Sequence, residues 1–117
     1  MPRIIVDYSS NVKEEIGNDF FAKCHQIFVD TGRFQIEDLK SRAIKHNNFR
    51  IADGAEDKAF ISIHLRIMEG REEAFRTDLA NFIMIYAKAY FKRSIEELDL
   101  NLTCYVSEIT KATYVKA

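Results

Sequence analysis

The sequence predicts an α+β (α/β) fold in which two β-α-β units form one four-stranded sheet with two helices on one face. Two observations carry that prediction. The chain holds two strongly alternating apolar stretches, at residues 2–8 and 59–67, and each is followed by an apolar stripe recurring every three or four positions. Its 117 residues suit a single domain, residues 1–117, built on one core.

Taken in order, PRIIVDY at residues 2–8 is rich in β-branched side chains, with Ile4, Val6 and Tyr8 on one face and Arg3, Ile5 and Asp7 on the other. That pattern is a strand. Ser9, Ser10 and Asn11 offer N-caps, Glu14 stands three residues after Asn11, and Val12, Ile16, Phe20, Cys24, Ile27 and Phe28 share a helical face. A first helix is expected over about residues 11–30, closing at Thr31 and Gly32. Residues 39–44 form a weaker second strand, followed by a polar connection through His46, Asn47 and Asn48 to the turn signal Asp53-Gly54.

Ala59, Ile61, Ile63, Leu65 and Ile67 alternate with Phe60, Ser62, His64 and Arg66, the clearest strand signal in the chain, and Gly70 ends it. Glu72 and Glu73 then suit a helix N-terminus. Phe75, Leu79, Phe82, Ile83, Tyr86, Tyr90 and Phe91 place a second helix as far as about residue 93. A last strand is expected near residues 100–107, and the tail from there to Ala117 could cover a neighbouring subunit's sheet edge. Each half is a parallel strand pair with a right-handed helical crossover, so two halves can share one sheet and leave its other face bare. The mixture Phe60, Ser62, His64 and Arg66 on that face suits burial against other subunits, which favours a homo-oligomer.

Seventeen basic and eighteen acidic residues give a formal charge of -1, and neither sign is gathered into a run, so nucleic acid and membrane are not expected partners. No stretch approaches the roughly 20 apolar residues of a membrane span, and no signal peptide is evident at the N-terminus. Cys24 and Cys104 lie far apart and read as small apolar thiols in a reducing cytoplasm. His25, His46 and His64 lack metal-ligand spacing, and no cofactor or metal is expected.

Pro2 follows the initiator Met1, and a small second residue invites removal of that methionine. The result would be a free secondary amine. An α-amino group has a reference pKa of about 7.7–8.0 and is pushed lower by burial or nearby cations, toward the range of a general base. Taken alone, Pro2 reads better as a common second residue at the start of an edge strand, a place proline tolerates.

Context changes that balance. The segments MPRIIVDYSSNVKEE, FFAKCHQIFVDTGRF and DLKSRAIKHNNFRIADGAEDKAFISIHLRIMEGRE contain an MP-opened strand, a TG-x-F turn, an SR pair, an ADG turn and an aliphatic strand closing in GR. In that order and spacing, over roughly residues 1–80, they resemble the tautomerase superfamily, and within it the 5-carboxymethyl-2-hydroxymuconate Δ-isomerase family. Asn11 stands where the short 4-oxalocrotonate tautomerases carry arginine, and the CxxC of macrophage migration inhibitory factor is lacking, so those branches are less similar.

The resemblance implies a tautomerase-like fold, a homotrimer and catalysis without a cofactor. It implies that Pro2 is the catalytic base and that Arg42 of SRA and Arg71 of MEGRE lie at or near the active site. An arginine fork grips a carboxylate bidentately and stays charged at any relevant pH. Lys40, on the same strand face as Arg42, could depress the Pro2 pKa or meet a second carboxylate, and Phe60 could touch substrate. The implied reaction is ketonisation of 5-carboxymethyl-2-hydroxymuconate, or a similar 2-hydroxydienoate dicarboxylate, in homoprotocatechuate breakdown. The alternatives are the same fold acting on another substrate, as a dehalogenase or phenylpyruvate-type tautomerase, or a non-catalytic oligomeric binding protein. A ferredoxin-like binding module shares the doubled plan but gives Pro2 no role.

Overall fold

A computed structural model describes residues 1–117. Strands β1 (Arg3–Ser9), β2 (Lys40–His46), β3 (Lys58–Met68) and β4 (Asp99–Ile109) form one sheet in the order β2-β1-β3-β4. β1 runs parallel to β2 and β3 parallel to β4, while β1 and β3 meet antiparallel at the centre. Each parallel pair is bridged by a helix: α1 (Asn18–Asp30) in the first half and α2 (Glu73–Tyr90), extended by the short α3 (Lys92–Glu97), in the second. The predicted doubled β-α-β sheet is therefore the observed one.

Alternation decides which face is covered. Ile4 and Val6 of β1 and Ile61, Ile63, Leu65 and Ile67 of β3 are fully buried, in one cluster with Phe20, Cys24 and Phe28 of α1 and Leu79, Ile83 and Ala87 of α2. The register puts Lys40, Arg42, Ile44, Arg3, Asp7, Phe60, Ser62, His64, Arg66, Thr103 and Tyr105 on the opposite face, and no helix packs there. Tyr105 is half exposed.

The first helix starts seven residues later than its apolar stripe predicts. The reason lies in what Asn11 and Glu14 bond. Asn11 Nδ2 donates to the Lys58 carbonyl at 2.8 Å, across to β3, rather than capping its own helix. Glu14 accepts from the backbone N–H of Ser94 at 3.1 Å and from its hydroxyl, while the same hydroxyl accepts from Lys13 N–H at 2.9 Å. Residues 10–17 thus form a strap bound to α3, and Ile16 reaches the core from a loop. Ser94 is fully buried. Ser94→Ala would leave the Glu14 carboxylate and the Lys13 N–H each short of a partner and should cost about 1–3 kcal/mol, readable as a lowered urea midpoint; an unchanged midpoint would mean that these two bonds contribute nothing.

The second helix also departs from its pattern. It breaks at Phe91, whose backbone leaves helical values (φ -94, ψ 23) while its ring packs 5.2 Å from Phe20, and α3 resumes beyond it. Phe82, assigned to the core by spacing, is 47% exposed, and the fully buried residues of α2 are Leu79, Ile83 and Ala87, four positions apart on one narrow face. Cys24 and Cys104 lie beneath the sheet with thiol pKa values pushed up to about 12, by burial above all, so both are neutral and unreactive at ordinary pH. No helix is long and apolar enough to cross a membrane.

Candidate active site

Pro2 precedes β1, its ring buried and its carbonyl accepting the backbone N–H of Lys40 at 3.4 Å. A cavity of about 210 Å3 opens there, lined by Met1 and Pro2, by Arg33, Phe34 and Asp38 from the segment after α1, and by Arg71 from the loop before α2. Two turns bring these segments together. Gly32, at φ 79, reverses the chain after α1, and Gly70, at φ 111, does so after β3; both are backbone values that residues with a Cβ rarely adopt.

Arg71 is held from several sides. Its guanidinium lies 4.5 Å from the Phe34 ring centre and 5.5 Å from that of Phe75, and Nη2 donates to the Arg33 carbonyl at 3.2 Å. Arg33 lies 4.4 Å from the other available ring, Phe75, and Nη1 pairs with Glu72 at 2.9 Å. The Arg33 guanidinium beside it holds the Glu72 carboxyl below the usual carboxylate range, with a backbone hydrogen bond adding to the effect.

An adjoining recess, also about 210 Å3, is lined by Arg3, Lys40 and Arg42. Its cations continue across the bare face, since Lys40 lies opposite Arg3 and Arg3 opposite Arg66. None of Arg3, Lys40, Arg42 and Arg66 belongs to an ion pair, and Arg66 Nε is buried without a hydrogen-bond partner. Like charges placed directly opposite on a sheet are unfavourable, so this row favours an anion. The amino terminus responds to the same surroundings: burial first and the Arg3 charge second hold the Met1 amine below its ordinary value of 8.0, with Lys116 and Lys40 adding and Asp38 opposing.

Of the residues singled out by sequence, Pro2 and Arg71 therefore share one cavity, and Arg42 and Lys40 line the next. Arg42 lies opposite Ile5, three residues along the strand from Pro2, or about 10 Å. Phe60 is not brought to this place. Its backbone N–H donates to Ser9 Oγ at 2.9 Å, at the far end of β1 about 20 Å from Pro2, where its ring meets His46 and Phe49.

Sequence reading missed Arg33 and Asp38. Arg33 is the variable position of the TG-x-F turn, yet its meeting with Arg71 depends on packing between residues 38 apart. The three histidines are spoken for separately, His25 by Ser41, His46 by Asp7 and His64 by Ser107, and no group of three or more histidine, cysteine and acidic side chains could hold a metal ion. A larger recess of about 370 Å3 between α1 and α2, lined by Ile27, Phe82 and Ile85, contains one charged group, Asp30, and no cation.

Comparison with known proteins adds to this geometry. Residues 2–117 match the family model described as 5-carboxymethyl-2-hydroxymuconate isomerase. The chain is 29% identical over 110 residues to a 5-carboxymethyl-2-hydroxymuconate Delta-isomerase of Escherichia coli, covering 93% of this chain and 87% of that one. Among solved structures it resembles a 5-carboxymethyl-2-hydroxymuconate isomerase from Deinococcus radiodurans R1, with a TM-score of 0.92 at 21% identity, covering 99% and 88% of the two chains. A fused 4-OT described as a symmetric trimer superposes with a TM-score of 0.70 at 14% identity, over 97% of this chain and 93% of that one. At such identities the two solved structures speak for the fold alone.

Proposed function

Because the chain belongs to the 5-carboxymethyl-2-hydroxymuconate isomerase family, and is an isomerase of the tautomerase type, we propose that it ketonises 5-carboxymethyl-2-hydroxymuconate, or a similar 2-hydroxydienoate with at least two carboxylates, without a cofactor. The observation that carries this reading is the buried Pro2 at a cavity it shares with Arg71, beside a row of unpaired cations. Met1 itself lines that cavity, so its removal would open the space directly onto the Pro2 nitrogen. The amine then inherits the partly buried, cationic surroundings that depress the Met1 amine, and a share of it is neutral near pH 7.

Neutral Pro2 takes the proton from the 2-hydroxyl of the dienol, and electron density moves through the conjugated system. The resulting ammonium returns one proton to a distant carbon, so the product is an isomer and nothing is consumed. Charge builds on the dienolate oxygen during the first transfer. Arg71, already fixed against its rings, stabilises that charge or the adjoining carboxylate, and Arg42 and Lys40 take a further one of the substrate's carboxylates from the next recess. The bare sheet face suits a homotrimer, in which a neighbour would narrow the space between Arg42 and the amine. The pathway served is homoprotocatechuate breakdown in the cytoplasm.

The test is the rate of ketonisation of 2-hydroxymuconate and its 5-carboxymethyl derivative by protein shown by mass to lack Met1. Turnover that prefers the carboxymethyl substrate is expected. If folded, oligomeric protein leaves both dienols at their spontaneous rate, the proposal fails and another tautomerase substrate must be sought.

A further inference from the structure

We propose that Arg33 is a specificity-determining residue that receives the main-chain carboxylate remote from the substrate's 2-hydroxyl, and that Glu72 is its intramolecular competitor. The inference rests on the reading of the Pro2 cavity as the isomerase site. It starts from a duplication. The cavity presents two guanidinium-bearing residues, Arg33 and Arg71, and each lies on an aromatic ring, Phe75 at 4.4 Å for Arg33 and Phe34 at 4.5 Å for Arg71. Stacking leaves the edges of a guanidinium free, and the edges carry the donors that grip a carboxylate.

The two arginines differ in what they already hold. Arg71 donates to a backbone carbonyl and belongs to no ion pair, whereas Arg33 holds a carboxylate, that of Glu72, at 2.9 Å. That contact demonstrates the chemistry Arg33 is placed to perform. It is also weakly held, because the side chains of Arg33 and Glu72 are 42% and 64% exposed and such pairs contribute little in water. A substrate carboxylate entering beside Pro2 can displace Glu72 into solvent at small cost. Asp38, the one carboxylate that lines the cavity itself, makes no ion pair with Arg33 and so does not compete in this arrangement.

A purely structural alternative exists: the Arg33–Glu72 pair could only clip the segment after α1 to the start of α2. The two accounts predict opposite signs for one substitution. If Glu72 competes, Glu72→Gln tightens dicarboxylate binding; if the pair is a clip, Glu72→Gln loosens the wall and weakens binding as Arg33→Ala does. Both positions are exposed enough for the variants to fold.

The experiment measures calorimetric binding of adipate, a saturated dicarboxylate with the main-chain length of muconate, and of hexanoate, its monocarboxylate counterpart. Met1-free oligomeric protein, Arg33→Ala and Glu72→Gln are compared, with ketonisation followed in parallel. Arg33→Ala should weaken adipate about tenfold or more and leave hexanoate within about twofold, whereas Glu72→Gln should tighten adipate by about two- to fivefold. Equal losses for both ligands, weaker adipate binding in Glu72→Gln, or no adipate binding by the unaltered protein overturns the inference. Arg33-dependent adipate binding without turnover would refute the isomerase reading and leave Arg33 its role; turnover indifferent to Arg33 would do the reverse.

Discussion

A chain in which the Pro2 nitrogen stays locked in a peptide bond should lose nearly all isomerase activity. Replacing Pro2 with leucine provides such a chain, because a bulky second residue protects Met1 from removal, and the nitrogen at position 2 is then an amide without basicity. General base catalysis by one positioned group contributes about 10²–10⁴-fold, and a loss of that order in kcat/KM is expected. Pro2→Ala is milder, since it leaves a primary amine in the same place once Met1 is removed. The pH dependence gives an independent check. The neutral amine is the base, so kcat/KM must rise with pH through the amine pKa and then level off. Burial, the Arg3 charge and the charges of Lys116 and Lys40 lower the Met1 amine, against opposition from Asp38, so the same surroundings should hold the midpoint of that rise below the ordinary value of a proline amine. Removing the opposing carboxylate with Asp38→Asn should move the midpoint lower still. Full activity in a chain shown by mass to retain Met1 would eliminate Pro2 as the base.

The ease with which the sheet was read and the difficulty with the site have one physical origin. Alternation is local, so Ala59, Ile61, Ile63, Leu65 and Ile67 announced β3 from within the strand, and all five are fully buried. The start of α1 was misjudged because Asn11 and Glu14 satisfy partners 47 and 80 residues away, which no local cap pattern reports. The order of motifs points to Pro2, Arg42 and Arg71 as candidates, and the structure brings Pro2 and Arg71 into a single cavity. The strand face alone points to Phe60, and a face is only half an address: it lies on the predicted side but at the opposite end of the sheet from its own chain's Pro2. Arg33 was passed over because its meaning depends on Phe75 and Glu72, and nothing near it in sequence points to either.

Replacing Arg71 with alanine should produce the next largest loss, about 10²–10³-fold in kcat/KM, the range seen when one preorganised donor to a developing charge is deleted. Preorganisation is the reason to expect so much from a partly exposed side chain. Phe34 at 4.5 Å, Phe75 at 5.5 Å and the Arg33 carbonyl at 3.2 Å restrict the guanidinium before substrate arrives, so little rotamer freedom is lost on binding. Lysine at this position keeps the charge but loses the planar fork and the flat face that rests on the rings, so Arg71→Lys should recover only a small part of the loss. How the loss divides between kcat and KM identifies the role. A fall in kcat at nearly constant KM places Arg71 on the dienolate oxygen, where charge appears only in the transition state; a rise in KM at nearly constant kcat places it on a carboxylate already charged in the ground state. Arg42→Ala supplies the contrast. Arg42 is exposed, stacks on no ring, and lies about 10 Å along the sheet from Pro2, so its loss should appear mainly in KM. Activity of Arg71→Ala within about twofold of the unaltered protein would remove Arg71 from the machinery and shift the whole task of holding the anion to the Arg3, Lys40, Arg42 and Arg66 row.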